Sequence, residues 1–309
     1  MSSTAAEAAI EQLIGGEWED PDTGGRRGVP VDRVVIGPDL ARRAPDLLRP
    51  LFETRTLAVV CDPQTREAAG EDVVVGLEAA GVQVEPIELG TYPEAVDTLA
   101  ARIGASAARC DAIIAVGAGT INDLCKLAAH VVGKPYAVFG TAASMNGYAS
   151  ANASVAIDGF KTTVPATAPR GIFLDTDVLA AAPPRLSAAG LADSLCRTTA
   201  QADWLLSHLL FNTAYLTAPF ALLGLEEDAL VAEAAALAAG DGAAHARLAR
   251  TLVLSGFGMT LAGSSAPASQ GEHLIAHYLD MRGFAGGALH GEQIAVTTLT
   301  MAALQDVML

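Results

Sequence analysis

From residue 57 onward, short and continuously apolar runs alternate with longer stretches of helical spacing. The apolar runs are LAVVC (57–61), AIIAVG (112–117), YAVFG (136–140) and GIFLD (171–175), with VQVEPIEL (82–89) as a further strand between the first two. The stretches between them predict helices over 64–80, 93–108 and 120–132. Strands with no polar alternation are buried on both faces, so the pattern predicts a parallel sheet covered by helices, a doubly wound α/β domain of the nucleotide-binding type over 31–182. The segment 140–170 interrupts the alternation with Ser, Thr, Asn and Gly, at the carboxyl end of a strand, where open α/β sheets bind ligands. Pro183-Pro184 marks a boundary, and Ala- and Leu-rich helical stretches follow over 187–209, 213–239, 243–263, 271–280 and 290 to the end. With no strand-like run after 182, the region 183–309 is expected to be all-α. The first 30 residues, with Gly15-Gly16, Pro21-Asp22 and Gly24-Gly25, are expected to be irregular.

Composition narrows the function. In 309 residues there are 19 basic and 35 acidic side chains, a formal charge of −16, and 51% hydrophobic residues. That balance argues against nucleic acid and anionic membranes as partners, while an anionic small molecule needs only local positive charge. No apolar run is long enough for a membrane span, and the N-terminus lacks the basic start and apolar stretch of a signal peptide, so a cytoplasmic location is expected. The four cysteines are widely spaced without a C-x-x-C pair and read as reduced, buried thiols.

Three features can carry chemistry. VGAGTINDLCK (116–126) places two glycines between a strand and a helix, a turn that lets backbone N–H groups approach a phosphate. It is not a G-x-G-x-x-G motif, and a tight turn alone would also explain it. Thr120 and Asp123 fall at capping-box spacing. Only three lysines occur, Lys126, Lys134 and Lys161, against sixteen arginines, all between the glycine turn and the insertion. Lys161, in DGFKTT, is the one read as a ligand contact. In the helical half, His273 and His277 share one helix face at i and i+4, His290 opens a helix after a Gly-rich loop, and Asp193 lies 80 residues earlier. One carboxylate and two imidazoles form a donor set for a catalytic metal with an open position, although a lone histidine pair is also common as a satisfied structural group. His130, His208 and His245 are read as structural.

Taken together, VGAGTINDLCK, TAASMNGYAS with DGFKTT, DTDVLAAAPPRLSAAGLADSLCR, PASQGEHLIAHYLDM and HGEQIAV resemble the sn-glycerol-1-phosphate dehydrogenases, especially their bacterial branch. That group stands beside glycerol dehydrogenases, iron-dependent alcohol dehydrogenases and dehydroquinate synthases. The resemblance runs from about residue 30 to 309. It implies a Rossmann-like doubly wound N-terminal domain, an all-α C-terminal domain of the dehydroquinate synthase-like kind, and a metal and substrate cleft between them. Gly117, Ala118, Gly119 and Thr120, with Asp123, would hold the NAD or NADP pyrophosphate, and Asp62 would contact the adenine ribose. Thr141, Ser144 and Ser150 match a polar loop around the nicotinamide half. Asp193, His273 and His290 match three ligands of a divalent metal, zinc first and nickel or iron in some relatives. His277 matches a nearby proton carrier or outer-sphere group, and Lys161 a lysine that reaches cofactor or substrate. Asn146 stands where many relatives have aspartate, which replaces a proton-relay carboxylate with a neutral group. Relatives continue past the HGE helix, so a shortened helical domain or a truncated chain is expected.

The implied activity is hydride transfer between NAD(P)H and dihydroxyacetone phosphate to give sn-glycerol 1-phosphate, in a homo-oligomer. Two alternatives remain at this point: a glycerol or other polyol dehydrogenase, and a catalytically impaired nucleotide- or metal-binding homologue. A lyase of the dehydroquinate-synthase type is disfavoured by a helical half without a single lysine.

Overall fold

The structure, a computed structural model, describes residues 4–284 and 286–308. The chain divides into two compact units. One comprises Pro30–Ala143 and Gly147–Ala182; the other comprises the residues up to Val29, Ser144–Asn146 and those from Pro183 on.

The first unit is built on six parallel strands in the order Arg33–Gly37, Gly171–Asp175, Tyr136–Gly140, Ala112–Val116, Thr56–Cys61, Gln83–Glu88. The three strands Ala112–Val116, Tyr136–Gly140 and Gly171–Asp175 are buried at every position, which is why their sequences are apolar without alternation. Leu57, Val59, Ile114, Ala137 and Phe173 join Leu47, Val73 and Leu77 from the covering helices in one core. From Thr56–Cys61 the chain steps outward to Gln83–Glu88, then returns past it to Ala112–Val116 and proceeds the other way. The order therefore reverses between Thr56–Cys61 and Ala112–Val116, and a crevice opens beyond their carboxyl ends at such a point. Asp62 and Gly117 are the residues that follow those two ends.

Three local features depart from the sequence expectation. Arg33–Gly37 is a strand that the pattern did not announce. It lies at the sheet edge, half-buried throughout, with only a three-residue apolar run. The insertion is not irregular: Asn152–Ile157 and Phe160–Pro165 pair antiparallel. Asp158 and Gly159, at φ 52° and 80°, form the two-residue connection, the Asp-Gly pair that such hairpins favour. The helix expected over 64–80 is present, but its segment Arg66–Gly70 is wound as a π-helix.

The second unit is helical. Among its described residues the only strands are the short pair Trp18–Glu19 and Arg26–Arg27. Helix Gly242–Ala262 is its axis, buried from Leu248 through Met259 on all sides. The first 30 residues correct the expectation of irregularity. Ala5–Gly15 is a helix opened by a Thr4/Glu7 capping box, and Ala6, Ala9, Ile10 and Leu13 bury one face. Arg250 reaches Glu7 at 3.4 Å, Arg27 donates to Leu261 O at 2.8 Å, and Asp22 accepts the Thr217 and Ala218 N–H groups. These bonds make the segment part of the helical unit, because its turns are fixed by partners more than 190 residues away. The single helix expected over 213–239 is instead three short ones, Ala218–Leu223, Glu227–Ala232 and Ala234–Ala238. They break around Glu226, whose buried carboxylate pairs with Arg247 and with Arg250. No described helix is long and apolar enough to cross a membrane.

Candidate functional site

In the helical unit, three helices bring Asp193, His273 and His290 together. Asp193 lies near the end of Pro184–Leu195, His273 in the first turn of Gly271–Met281, and His290 opens His290–Met308. Two glycines permit the convergence. A Cβ on Gly291 would stand 2.1 Å from Ala189 O, so only glycine lets the backbone beside His290 touch the Asp193 helix. A Cβ on Gly271 would meet Met301 and the Asp203 carboxylate at 2.6 and 2.8 Å, which fixes the turn carrying His273.

Asp193 is 2% exposed. Its Oδ2 accepts the Asn146 N–H at 2.8 Å. Its Oδ1 has no hydrogen-bond partner among the described residues, yet Nε2 of His273 and Nε2 of His290 stand 3.7 and 3.8 Å from it. Those separations are too long for hydrogen bonds. They are close to the spacing of donors around a shared cation: donors about 2.1 Å from one ion in a tetrahedral arrangement lie about 3.4 Å apart. A buried, uncommitted carboxylate oxygen facing two imidazole nitrogens fits a divalent metal. Burial pushes the Asp193 carboxyl up, but His273, His290 and the Asn146 N–H outweigh it and hold the group below its ordinary value. Burial likewise works against the His273 imidazolium, yet the Asp193 and Glu272 carboxylates raise it to about 9.

Sequence reasoning missed two neighbours. Glu272 is fully buried and its Oε1 lies 2.9 Å from His273 Nδ1. The signal was an acid adjacent to a histidine in a helix's first turn. Cys196 Sγ comes within 4.8 Å of donor atoms of Asp193 and His273, three residues on from Asp193. Its thiol donates to Asp193 O at 3.2 Å, and burial, first among the causes, pushes it well up as an acid. Half-buried His277 completes a group of three imidazoles, 6.1 Å from both the His273 and His290 rings.

Asn146 is placed against Asp193. Besides its N–H, its Nδ2 donates to Asp193 O at 3.4 Å, so it positions the carboxylate. Ser144 lies in the same short segment, half-buried.

The α/β unit holds the remaining candidates. Helix Gly119–Val132 starts directly after Ala118, which makes no side-chain cap. The expected Thr120/Asp123 capping box is therefore absent. Asp123 instead accepts the Ser154 N–H at 3.2 Å and stands 3.8 Å from Lys126 Nζ. Burial raises the Asp123 carboxyl, with Lys126, Ser154 and Lys161 opposing. A helix start whose N–H groups are not taken by a side-chain cap is suited to a phosphate. Gly117 O accepts the Thr141 N–H at 3.4 Å, which joins the loops beyond two neighbouring strands. Asp62 caps the next helix through Oδ1, accepting from Thr65 N at 2.8 Å.

Lys126 is 0% exposed, a residue whose burial the sequence did not reveal. Its Nζ donates to Ser150 Oγ and Asn152 O, both at 3.0 Å, and to Gly147 O. Ser150, expected beside the nicotinamide, thus serves as a lysine partner within the loop. Lys161 lies across the hairpin from Ala156, half-buried, close enough for its charge to bear on Asp123.

Comparison with known proteins adds three findings. The family model described as iron-containing alcohol dehydrogenase matches residues 35–183. A glycerol-1-phosphate dehydrogenase [NAD(P)+] of Bacillus velezensis is 36% identical over 272 residues, covering 85% of this chain and 68% of the relative. One of Pyrococcus furiosus is 34% identical over 275 residues, covering 89% and 78%. Among solved structures, glycerol dehydrogenase from Schizosaccharomyces pombe superposes with a TM-score of 0.69 at 20% identity, covering 89% of this chain and 71% of that one. The iron-containing alcohol dehydrogenase from Thermotoga maritima gives 0.68 at 14% identity, covering 86% and 75%. At such identities these two structures speak for the fold.

Proposed function

We propose that this chain, which belongs to the glycerol-1-phosphate dehydrogenase family, is a metal-dependent oxidoreductase that interconverts dihydroxyacetone phosphate and glycerol 1-phosphate with NAD(P). The reaction adds a hydride to the ketone carbon and a proton to its oxygen, and removes both in reverse. When bound, a divalent cation supplies Lewis-acid polarisation of the carbonyl and NAD(P)H supplies the hydride.

The observation that carries the reading is Asp193 Oδ1, buried and uncommitted, with two imidazole nitrogens beside it. Asp193, His273 and His290 are the proposed metal ligands, and Asn146 holds the first of them through its N–H. His277, next to both imidazole ligands, is the proposed proton carrier to and from the substrate oxygen. The start of helix Gly119–Val132 is the proposed seat of the dinucleotide phosphates, through Gly117, Ala118, Gly119 and Thr120. Asp62, at the end of a strand bordering the sheet's reversal point, is proposed for the adenine ribose. In a protein of charge −16, the substrate phosphate needs a local cation, and Lys161 is the proposed one.

Zinc is the proposed ion, because a carboxylate and two imidazoles leave it one open position. The proposed homo-oligomer draws support from apolar side chains exposed on the helical unit, among them Leu209, Phe211, Leu274, Leu299 and Val307. Light scattering of the purified protein tests that assembly.

The deciding assay follows loss of NADH or NADPH with dihydroxyacetone phosphate, before and after chelation and metal re-addition, beside unphosphorylated dihydroxyacetone. The expected outcome is turnover lost on chelation, restored by metal, and at least tenfold higher kcat/KM for the phosphorylated ketone. Equal turnover on both ketones would replace the reading with a polyol dehydrogenase.

A further inference from the structure

We infer that Glu272 is a positioning residue for the metal centre, fixing His273 as a donor through Nε2 and supplying the second negative charge that a divalent cation at Asp193 requires. This rests on the metal-site reading above. Glu272 has no exposed surface. Its Oε1 accepts the Gln270 N–H at 2.9 Å and stands 2.9 Å from His273 Nδ1. Thr199 Oγ1 is 3.5 Å from Oε2, its shorter bond going to Cys196 O at 2.9 Å.

An ionised carboxylate has only acceptors, so in the contact with Glu272 the proton must sit on His273 Nδ1. That leaves Nε2, the atom that faces Asp193 Oδ1 at 3.7 Å, as the nitrogen that gives up its proton to bind a cation.

Charge gives the second line of argument. Two carboxylates, Asp193 and Glu272, are buried on either side of one imidazole. Two negative charges buried around one imidazole need a positive partner, which a second proton on the ring or a bound cation supplies. A dication bound by Asp193, His273 and His290 makes that group neutral. A carboxylate on the far ring nitrogen of a metal-bound histidine is the arrangement that fixes ring orientation and strengthens the donor.

The test measures zinc affinity of the full chain by competition with a chromophoric chelator, in wild type, Glu272→Gln, Glu272→Ala, Asp193→Asn and His290→Ala. Glu272→Gln, which keeps shape and an acceptor but loses charge, is expected to bind zinc roughly tenfold more weakly. Glu272→Ala is expected to fall by about a hundredfold. NADH affinity, read by fluorescence, stays at the wild-type value in both. Nitrogen NMR of the cadmium-loaded wild type should show His273 bound through Nε2 with its proton on Nδ1, and this measurement needs no variant to fold. Wild-type zinc affinity in both Glu272 variants, with zinc lost in Asp193→Asn and His290→Ala, overturns the role of Glu272 and leaves the metal site standing. Zinc retained in all four variants overturns the metal site and this inference together. Metal found on His273 Nδ1 overturns it as well.

Discussion

The glycine turn of the α/β unit and the histidine cluster of the helical unit are two ways of making a binding site. The turn is contiguous: Gly117 to Thr120 lie where one buried strand ends and one helix begins, and what they offer is backbone. The cluster is assembled from Asp193, His273 and His290 on three helices, and what it offers is side chains. A backbone site depends on local conformation and tolerates changes of side chain that respect it. A side-chain cluster depends on remote packing, so each donor is indispensable and so is each close contact that brings it in.

The sharpest way to break that contrast is to remove a donor. His290→Ala and Asp193→Asn are each expected to lose bound metal and to cut turnover on the order of a thousandfold or more, since Lewis-acid stabilisation amounts to several kcal/mol. Metal analysis and the dihydroxyacetone phosphate assay read both. Stoichiometric metal with full turnover in either variant would refute the ligand assignment.

Next comes the packing that gathers the donors. Gly291→Ala puts a methyl group 2.1 Å from Ala189 O, so the two helices must part. Overpacking of this kind costs about 1–3 kcal/mol, visible as a lower Tm, and metal affinity should fall with it because His290 moves. An unchanged Tm would mean that the contact is not tight.

For the turn, the expected effect is smaller and confined to the nucleotide. Gly119→Asp sets a carboxylate at the helix start, and KM for NAD(P)H should rise about tenfold while metal content stays constant. Loss of metal in this variant would show that the two sites are not separable.

A further effect, on stability alone, concerns Lys126. Burial pushes its ammonium down to about 8, with Asp123 opposing. A lysine with a folded value below its unfolded one holds fewer protons folded than unfolded between those two values. Its contribution therefore makes the protein more stable as pH rises from about 8 toward 10.5, by at most about 1.4 kcal/mol per pH unit. Urea midpoints across that range should climb more steeply in wild type than in Lys126→Met, and parallel curves would contradict the buried charge.

Much of the α/β unit was legible because its physics is local. YAVFG and GIFLD are strands at the very residues expected, since a short apolar run bounded by turn residues fits a strand buried on both faces. The hairpin Asn152–Ile157 with Phe160–Pro165 was legible too, from Asp158-Gly159, and was missed because its Ser, Thr and Asn content resembles a loop. The edge strand Arg33–Gly37 gave too short an apolar run to be read. In the helical unit, the spacing of His273 and His277 was visible, whereas Glu272 was hidden as an ordinary first-turn acid.

What the sequence by itself determined were the inner strands, the helices between them and the backbone turn, because strand burial, glycine placement and helix starts follow from neighbours within a few residues. The tertiary structure alone decided which side chains act together. It set Asp193 Oδ1 beside two imidazoles, turned Asn146 into a clamp, buried Lys126 among loop oxygens and tied the first thirty residues into the helical unit. Those pairings join residues from 24 to 243 positions apart, and the packing of whole helices, which no local pattern encodes, selects them.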